Sequence, residues 1–314
     1  MQIFGGSSNP NLVKQIAKLI GVEEGVVESS TFENGERRVR VGDGKKVHNL
    51  DHKAVMIQSL SAPVDSHLIE FCLLADALSR QGYTNLVGVI PWIGYSKQDK
   101  VFLPGEPLSA KVVAQIIQTT KIKKLITFDL HNRAITGFFE IPVVELSAKP
   151  IFLEYFKEKI SRQESGSESN EWVVVAPDAG AVKASAYFAR ELEISIAYMD
   201  KRRDLRTGIV SIMGMTGEVK GKNVIIVDDM IVTGSTTMES AKYLKEKGAR
   251  SVSVAATHHL YIPGVQEKLE ESEIDEIVVS DTVRAQSQVA NSQILKWEKL
   301  NVLSVAEMIV DELR

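Results

Sequence analysis

The sequence predicts an α/β fold in two domains, each with a mainly parallel central sheet flanked by helices. Three observations carry this. Short apolar runs rich in β-branched residues alternate with longer helical patterns along the whole chain, the signature of βαβ units. Several of these runs end abruptly in a carboxylate or a cation, and the carboxyl ends of strands are where open α/β sheets bind ligands. The length of 314 residues accommodates two domains of roughly 150 residues each.

In chain order, Ala54–Gln58 is a predicted strand and Ser66–Gln81 a helix. Leu86–Ile90 is the next strand, Ser109–Thr119 a helix, and Leu125–Phe128 a strand ending at Asp129-Leu130-His131. A helix near Pro150–Ile160 leads into the Ser-rich stretch Ser161–Asn170, expected as an exposed loop. The alternation resumes with Trp172–Ala176, a helix over Val182–Leu192, and the strands Ile196–Met199 and Val224–Val227. A helix from Met238 to Lys247, the strands Val252–Ala256 and Ile277–Val279, and a helical Val305–Leu313 complete the pattern. The seam near Glu145–Pro150 sets the expected domains at 1–147 and 148–314, with the last helix free to pack back on the first. No crisp repeat joins the halves, although Leu125–Asp129 and Val224–Asp228 are both apolar strands ending in Asp.

With 44 % apolar and 25 % charged residues, the chain has the composition of a globular protein. The formal net charge of −4 argues against a nucleic-acid-binding surface. Cys72 is the single cysteine, which excludes an intrachain disulfide, and its apolar surroundings suit a small hydrophobe better than a nucleophile. Met1–Gly6 has no basic region followed by an apolar stretch, and no run approaches the ~20 apolar residues of a membrane span. A cytoplasmic protein with no membrane partner is expected.

Val224–Thr237 is the most informative segment. Asp228 and Asp229 follow an apolar strand and precede the turn Val232-Thr233-Gly234-Ser235-Thr236, which enters a helix. Such a turn offers hydroxyls and free backbone N–H groups to a phosphate, helped by the positive helix end. Paired carboxylates repel phosphate, so they serve something polyhydroxylated or metal-bound beside it, and a sugar phosphate meets both demands. Against this stands an ordinary strand-to-helix turn with acidic caps.

Five further islands interrupt or end apolar elements. Phe32-Glu33-Asn34-Gly35-Glu36 sets an aromatic that can stack on a base beside groups that can read its edge, or is a plain Asn-Gly turn. Lys97-Gln98-Asp99-Lys100, past a strand end, suits a nucleotide polyphosphate or is a solvated loop. His131 can ligate a metal, meet phosphate, or be structural. Asp178 precedes the small residues that open a helix, and there it can hold Mg²⁺ or cap the turn. Lys201, Arg202 and Arg203, on an expected mobile segment with no evident structural partner, suit neutralisation of a transferring phosphoryl group. Thr207–Lys222, with three glycines, is expected as a lid or a hairpin.

The Asp228–Thr237 segment resembles the 5-phosphoribosyl-1-pyrophosphate (PRPP) motif of the phosphoribosyltransferase fold. All six islands, in this order, resemble the ribose-phosphate pyrophosphokinase family. Phe4–Pro10, Gln58-Ser59, Pro63-Val64, Asp76–Leu78, Gly94-Tyr95, Gly137–Phe139, Ile141-Pro142 and Ala256–His258 carry the likeness further. The resemblance implies two phosphoribosyltransferase-like domains that transfer the β,γ-pyrophosphoryl group of ATP to ribose 5-phosphate, giving PRPP and AMP with Mg²⁺. It implies ATP binding by Phe32, Asn34, Gly35, Glu36, Lys97, Gln98, Asp99 and Lys100, and ribose 5-phosphate binding by Asp228, Asp229 and Val232 to Thr236. It further implies Mg²⁺ on His131 and Asp178, catalysis by Lys201 and Arg203, and a homodimer in which the Phe32 loop serves a neighbouring subunit. The family usually has Arg at positions 97 and 100, Asp at 232 and Gly at 235, where this chain has Lys97, Lys100, Val232 and Ser235. Val101–Pro107 also lacks the arginine of the phosphate-activated branch and resembles a branch with little allosteric control. The rival readings are a non-catalytic regulatory subunit of the same kind and a phosphoribosyltransferase that consumes PRPP.

Overall fold

The computed structural model describes residues 1–42, 53–164, 171–203, 210–285 and 297–314. These divide into two compact units: Met1–Ser147 with Asp281–Arg284 and Ser304–Arg314 form the first, and the remainder form the second.

The first unit opens with β1 (Gln2–Gly5) and α1 (Pro10–Ile20). α1 starts where the Asn9 side chain accepts the Leu12 N–H and Pro10 presets the first turn; it stops at Gly21, whose φ of 80° closes the end. A two-stranded hairpin, β2 (Val27–Thr31) and β3 (Arg37–Val41), follows. Next come β4 (Lys53–Ile57), α2 (Val64–Arg80), β5 (Asn85–Val89), α3 (Ser109–Gln118) and β6 (Lys124–Phe128). A 3₁₀ turn over Arg133–Phe138 and β7 (Val143–Leu146) complete the run. The main sheet has the order β1-β4-β5-β6-β7, parallel throughout. Its strands are continuous apolar runs because helices cover both faces: Ala54, Val55, Met56 and Ile57 are all buried. Phe4, Met56, Phe71, Leu74 and Leu78 centre the core on one side.

The second unit contains α4 (Lys149–Glu164), β8 (Trp172–Ala176), α5 (Val182–Glu191), β9 (Ser195–Arg203) and β10 (Val210–Thr216). β11 (Asn223–Ile231), α6 (Ser235–Glu246), β12 (Ser251–His259), α7 (Val265–Glu270), β13 (Glu276–Ser280) and β14 (Leu300–Leu303) follow. α8 (Ala306–Leu313) belongs to the first unit, where Lys124 pairs with Glu312. The sheet order is β10-β9-β8-β11-β12-β13-β14, parallel except for β10. From β8 the chain moves outward to β9 and then returns to place β11 on the other side of β8. The order therefore reverses between β8 and β11, which makes their carboxyl ends a topological switch point.

Three expectations need correction. Ser161 to Glu164 continue α4 rather than starting a loop, and 165–170 lie outside the described residues. Asp200 to Arg203 are not a loop past a strand: β9 runs on to Arg203 and pairs antiparallel with β10. Of Thr207–Lys222, Val210–Thr216 form the second arm of a hairpin with β9 and 217–222 lead on to β11, while 204–209 lie outside the described residues. Asp228 and Asp229 lie within β11, which continues because Met230 and Ile231 are buried and pair with His258 and His259.

Candidate active site

The second unit brings Asp178, Lys201, Asp228, Asp229 and the turn 232–236 to the carboxyl end of its sheet. Asp178 lies just past β8, and its Oδ1 accepts the Ala181 N–H at 3.0 Å, so it caps the turn into α5. Asp228 and Asp229 occupy the end of β11, across the switch point, and the Asp229 N–H donates to Asp228 Oδ1 at 2.8 Å. Burial first, and then the negative charges of Asp229 and Asp178, push the Asp228 carboxyl well above the usual carboxylate range. A crowd of acids this costly to ionise invites a positive charge or hydroxyl donors. Lys201, on β9, feels Asp178, Glu239 and Asp228; burial lowers its pKa and these three carboxylates oppose that.

The turn after β11 has the geometry of an anion cradle. Gly234 has φ 69°, a backbone conformation that favours glycine, and a Cβ there would press on Leu269 Cδ2 at 3.0 Å. No side chain caps α6, which leaves the first N–H groups of a twelve-residue helix for a ligand. Thr233 and Ser235 are exposed and their hydroxyls lie 3.2 Å apart; Val232 and Thr236 are half-buried. Val232 offers no polar side chain, so its contribution is its backbone N–H.

Lys201 is where the structure departs from the sequence reading. It is not a free cation on a loop: its Nζ donates to Ser240 Oγ at 2.6 Å and to the Thr236 carbonyl at 3.2 Å. Arg203 takes its place in β9 opposite Val210, and its side chain lies outside the described residues.

In the first unit, two of the islands meet. Asn132 Nδ2 donates to Asp99 Oδ2 at 2.7 Å, joining the loop past β5 to the turn past β6. Gln98 is tied to the start of α3, accepting from Ser109 Oγ at 2.7 Å and from the Ala110 N–H at 3.1 Å. Lys97 and Lys100 are exposed, with the Lys100 ammonium 5.7 Å from the centre of the Phe102 ring. His131 is exposed on the same turn, where Asp129 accepts from Ser147 Oγ at 2.7 Å.

Phe32 to Glu36 form the tip of the β2–β3 hairpin. Gly35, at φ 89°, donates to the Phe32 carbonyl, and Asn34 Oδ1 accepts the Glu36 N–H at 3.2 Å. The Asn-Gly turn is therefore real, and it holds Phe32 out at 52 % exposure. Sequence reasoning missed what carries this hairpin: Arg37 on β3 and Ser7 past β1 converge on the buried Glu70 of α2. A buried Glu in an apolar helix face (His67, Leu68, Phe71 and Leu74) was the available signal.

A switch-point acid pair beside a glycine-dependent helix N-terminus defines an α/β protein that handles a phosphorylated polyol. The comparisons with known proteins narrow this class. Residues 1–120 match the N-terminal domain of ribose phosphate pyrophosphokinase, and residues 209–314 match the phosphoribosyl synthetase-associated domain. A ribose-phosphate pyrophosphokinase of Caldanaerobacter subterraneus subsp. tengcongensis is 36 % identical over 311 residues, covering 99 % of this chain and 93 % of that one. One from Fusobacterium nucleatum subsp. nucleatum is 35 % identical over 305 residues, covering 97 % and 91 %. The crystal structure of phosphoribosylpyrophosphate synthetase from Mycobacterium smegmatis superposes with a TM-score of 0.85 at 30 % identity, covering 100 % of this chain and 97 % of that one. The chain belongs to the ribose-phosphate pyrophosphokinase family.

Proposed function

We propose that this protein is a ribose-phosphate diphosphokinase, transferring the pyrophosphoryl group of ATP to the anomeric hydroxyl of ribose 5-phosphate. The anomeric oxygen attacks the β-phosphorus, the bond from that phosphorus to the α,β-bridging oxygen breaks, and AMP leaves while PRPP forms. The observation that carries this reading is the acid pair Asp228–Asp229 running into the uncapped N-terminus of α6. A 5-phosphate on the N–H groups of 232–236 puts the sugar hydroxyls toward the carboxylates, which accept from them.

ATP is assigned to the first unit. Phe32 supplies a face for the adenine; Asn34, Gly35 and Glu36 supply polar edges; Lys97, Gln98, Asp99 and Lys100 meet the polyphosphate. The exposure of Phe32 at the tip of a hairpin supports its service to a neighbouring subunit, with a homodimer as the minimal active unit. Lys201 and Arg203 neutralise charge that builds on the transferring group, the main task in phosphoryl-type transfer.

Mg²⁺ fits the donors present. Among the described residues no three His, Cys, Asp or Glu side chains form a cage, and Mg²⁺ does not need one, since it is held by one or two carboxylates with substrate phosphates and water. Asp99 Oδ1 is buried without a hydrogen-bond partner, beside the turn that carries His131, and the Asp228 carboxyl is raised by burial and by the negative charge of Asp229. His131 in the first unit and Asp178 in the second would each offer a ligand to Mg²⁺, which would supply charge neutralisation for the polyphosphate. The chain's own groups then bind and orient: the loop 232–236 fixes the acceptor, and Lys97 and Lys100 fix the donor.

No helix among the described residues is long and apolar enough to cross a membrane. The proposed substrates, ATP and a sugar phosphate, support a cytoplasmic reaction. AMP formation from ATP, measured with and without ribose 5-phosphate, tests the reading. Formation of AMP only when the sugar phosphate is present is expected. No AMP under either condition would leave a phosphoribosyltransferase or a regulatory subunit in its place.

A further inference from the structure

Ser240 is the anomaly in α6. Its residue is 0 % exposed, it sits in the interior of the helix, and its neighbour Ala241 is equally buried. A hydroxyl there earns nothing from packing, and serine is a poorer helix former than alanine because it competes for backbone groups. The hydroxyl bonds back to the carbonyl four residues earlier, donating to Thr236 O at 2.7 Å. That satisfies its proton but does not require it, since Thr236 O lies within a helix.

What the hydroxyl oxygen accepts is the Lys201 ammonium, at 2.6 Å. The same ammonium donates to Thr236 O at 3.2 Å, so lysine, serine and carbonyl close a triangle. Both partners of the cation are neutral. Asp178, Glu239 and Asp228 act on Lys201 through their charge, while among the described residues it makes no ion pair. A cation oriented by neutral oxygens keeps its charge for an incoming anion, whereas one paired with a carboxylate has spent it. The site of anchorage matters as well: Thr236 is the last residue of the turn that receives the 5-phosphate.

We infer that Ser240 is the positioning residue for Lys201, fixing its ammonium to the phosphate turn in an orientation ready for the transferring group. The inference rests on the diphosphokinase reading. The bond is charge-assisted and of the stronger kind, and its loss is expected to cost about tenfold or more in rate.

Steady-state and single-turnover kinetics on the full-length enzyme with labelled ATP test it. Ser240→Ala is expected to lower kcat about tenfold or more while KM for ATP and for ribose 5-phosphate stays within about twofold. Ser240→Thr keeps a hydroxyl able to bond the i−4 carbonyl and is expected to recover most of the loss. In a Lys201→Ala background, Ser240→Ala is expected to cost nothing further, because its effect runs through the lysine. An equal loss in both backgrounds means that Ser240 serves the fold, and it overturns the inference. So does an unchanged kcat in Ser240→Ala when wild type makes PRPP. If wild type forms no AMP with ribose 5-phosphate, the diphosphokinase reading itself falls, a result distinct from either.

Discussion

Arg37 Nη2 lies 2.7 Å from Glu70 Oε2, a pair in which the glutamate side chain is 1 % exposed and the arginine 16 %. This pair is the root of the β2–β3 hairpin. Glu70 also accepts the Ser7 N–H at 3.0 Å, the Ser7 hydroxyl at 2.5 Å and the Gln58 amide at 2.9 Å. Arg37 in turn donates to Ser29 Oγ at 2.7 Å, across the hairpin. One buried carboxylate thus ties β1, β4 and α2 to the strand that carries the Phe32 tip.

Glu70→Ala should therefore act on both stability and ATP binding. Breaking a buried pair by removing one partner costs about 3–5 kcal/mol, because the other charge is left uncompensated. Denaturant midpoints should fall accordingly, and KM for ATP should rise as the hairpin loosens. Burial pushes the Glu70 carboxyl up, but hydrogen bonds from Ser29 and Ser7 and the Arg37 charge more than offset this, leaving its pKa below the ordinary value. The folded value is lower than the unfolded one, so this contribution is fully present above the unfolded pKa. It is lost as pH falls through the folded value. Midpoints unchanged between wild type and Glu70→Ala at pH 7 would remove the pair from any anchoring role.

The buried parallel strands were legible because β-branched runs such as Trp172–Ala176 and Val224–Val227 are covered on both faces and so lack alternation. The hairpin strands were not, because Val27–Thr31 and Arg37–Val41 are polar and half-exposed, held by a glutamate thirty-three positions beyond Arg37. α1 was missed although Asn9, Pro10 and Gly21 mark both its ends. At the site, residue types and order could be read: acids at strand ends, then glycine and hydroxyls before a helix. The anchorage of Lys201 could not, because Ser240 lies 39 residues away and meets it only when β9 and α6 pack. Nor could the continuation of β11 through its acids, which depends on the pairing of Met230 and Ile231 with β12.

Asp228 and Asp229 should tolerate amide replacement poorly. Asparagine keeps the shape but loses the charge that accepts from sugar hydroxyls and pairs with a metal-linked substrate. Asp228→Asn and Asp229→Asn should each lower kcat/KM for ribose 5-phosphate by at least about a hundredfold, in the range for removing a preorganised electrostatic group. Folding should survive, since Asp228 is destabilised by burial and by Asp229 and loses that strain when neutral. Isothermal titration with ribose 5-phosphate and rate assays check both halves. A variant that binds and turns over like wild type would falsify the assignment.

His259 gives the second unit a pH limit of its own. Its Nδ1 accepts the Tyr261 N–H at 2.9 Å, its Nε2 lies 3.1 Å from Gln266 Oε1, and its ring stacks on Tyr261 at 4.1 Å. Burial lowers its pKa to about 4, partly opposed by the bond to Gln266. The folded state thus holds the neutral ring while the unfolded chain protonates near the ordinary value. Stability is fully present above pH ~6.5 and falls as pH drops from there toward ~4, by about 2 kcal/mol at pH 5 from this group. Urea midpoints at pH 7 and 5 should show a steep loss in wild type and a smaller one in His259→Asn, which cannot protonate. Equal losses in the two proteins would exclude His259 as a source.

Control by anions is expected to be weak. In the phosphate-activated branch of the family that this chain resembles, phosphate and ADP share a site built partly from arginines in the segment matching Val101–Pro107. Here that segment holds no cation and one carboxylate. Glu106 spends its Oε2 accepting the N–H groups of Phe102 and Leu103 at 2.9 and 3.0 Å, which removes two donors that an anion would need. Val101, Phe102 and Leu103 are 53, 68 and 65 % exposed, an apolar surface rather than a cationic one. The flanking Lys100 lies over the Phe102 ring and is assigned to ATP, which leaves Lys111. Binding a multiply charged anion calls for several convergent donors, preferably arginine forks. Activity should therefore appear in phosphate-free buffer, and ADP should compete simply with ATP. Initial rates with ADP titrated at several ATP concentrations decide this, with an absolute phosphate requirement, or ADP inhibition that saturating ATP cannot relieve, pointing to an assembled anion site elsewhere.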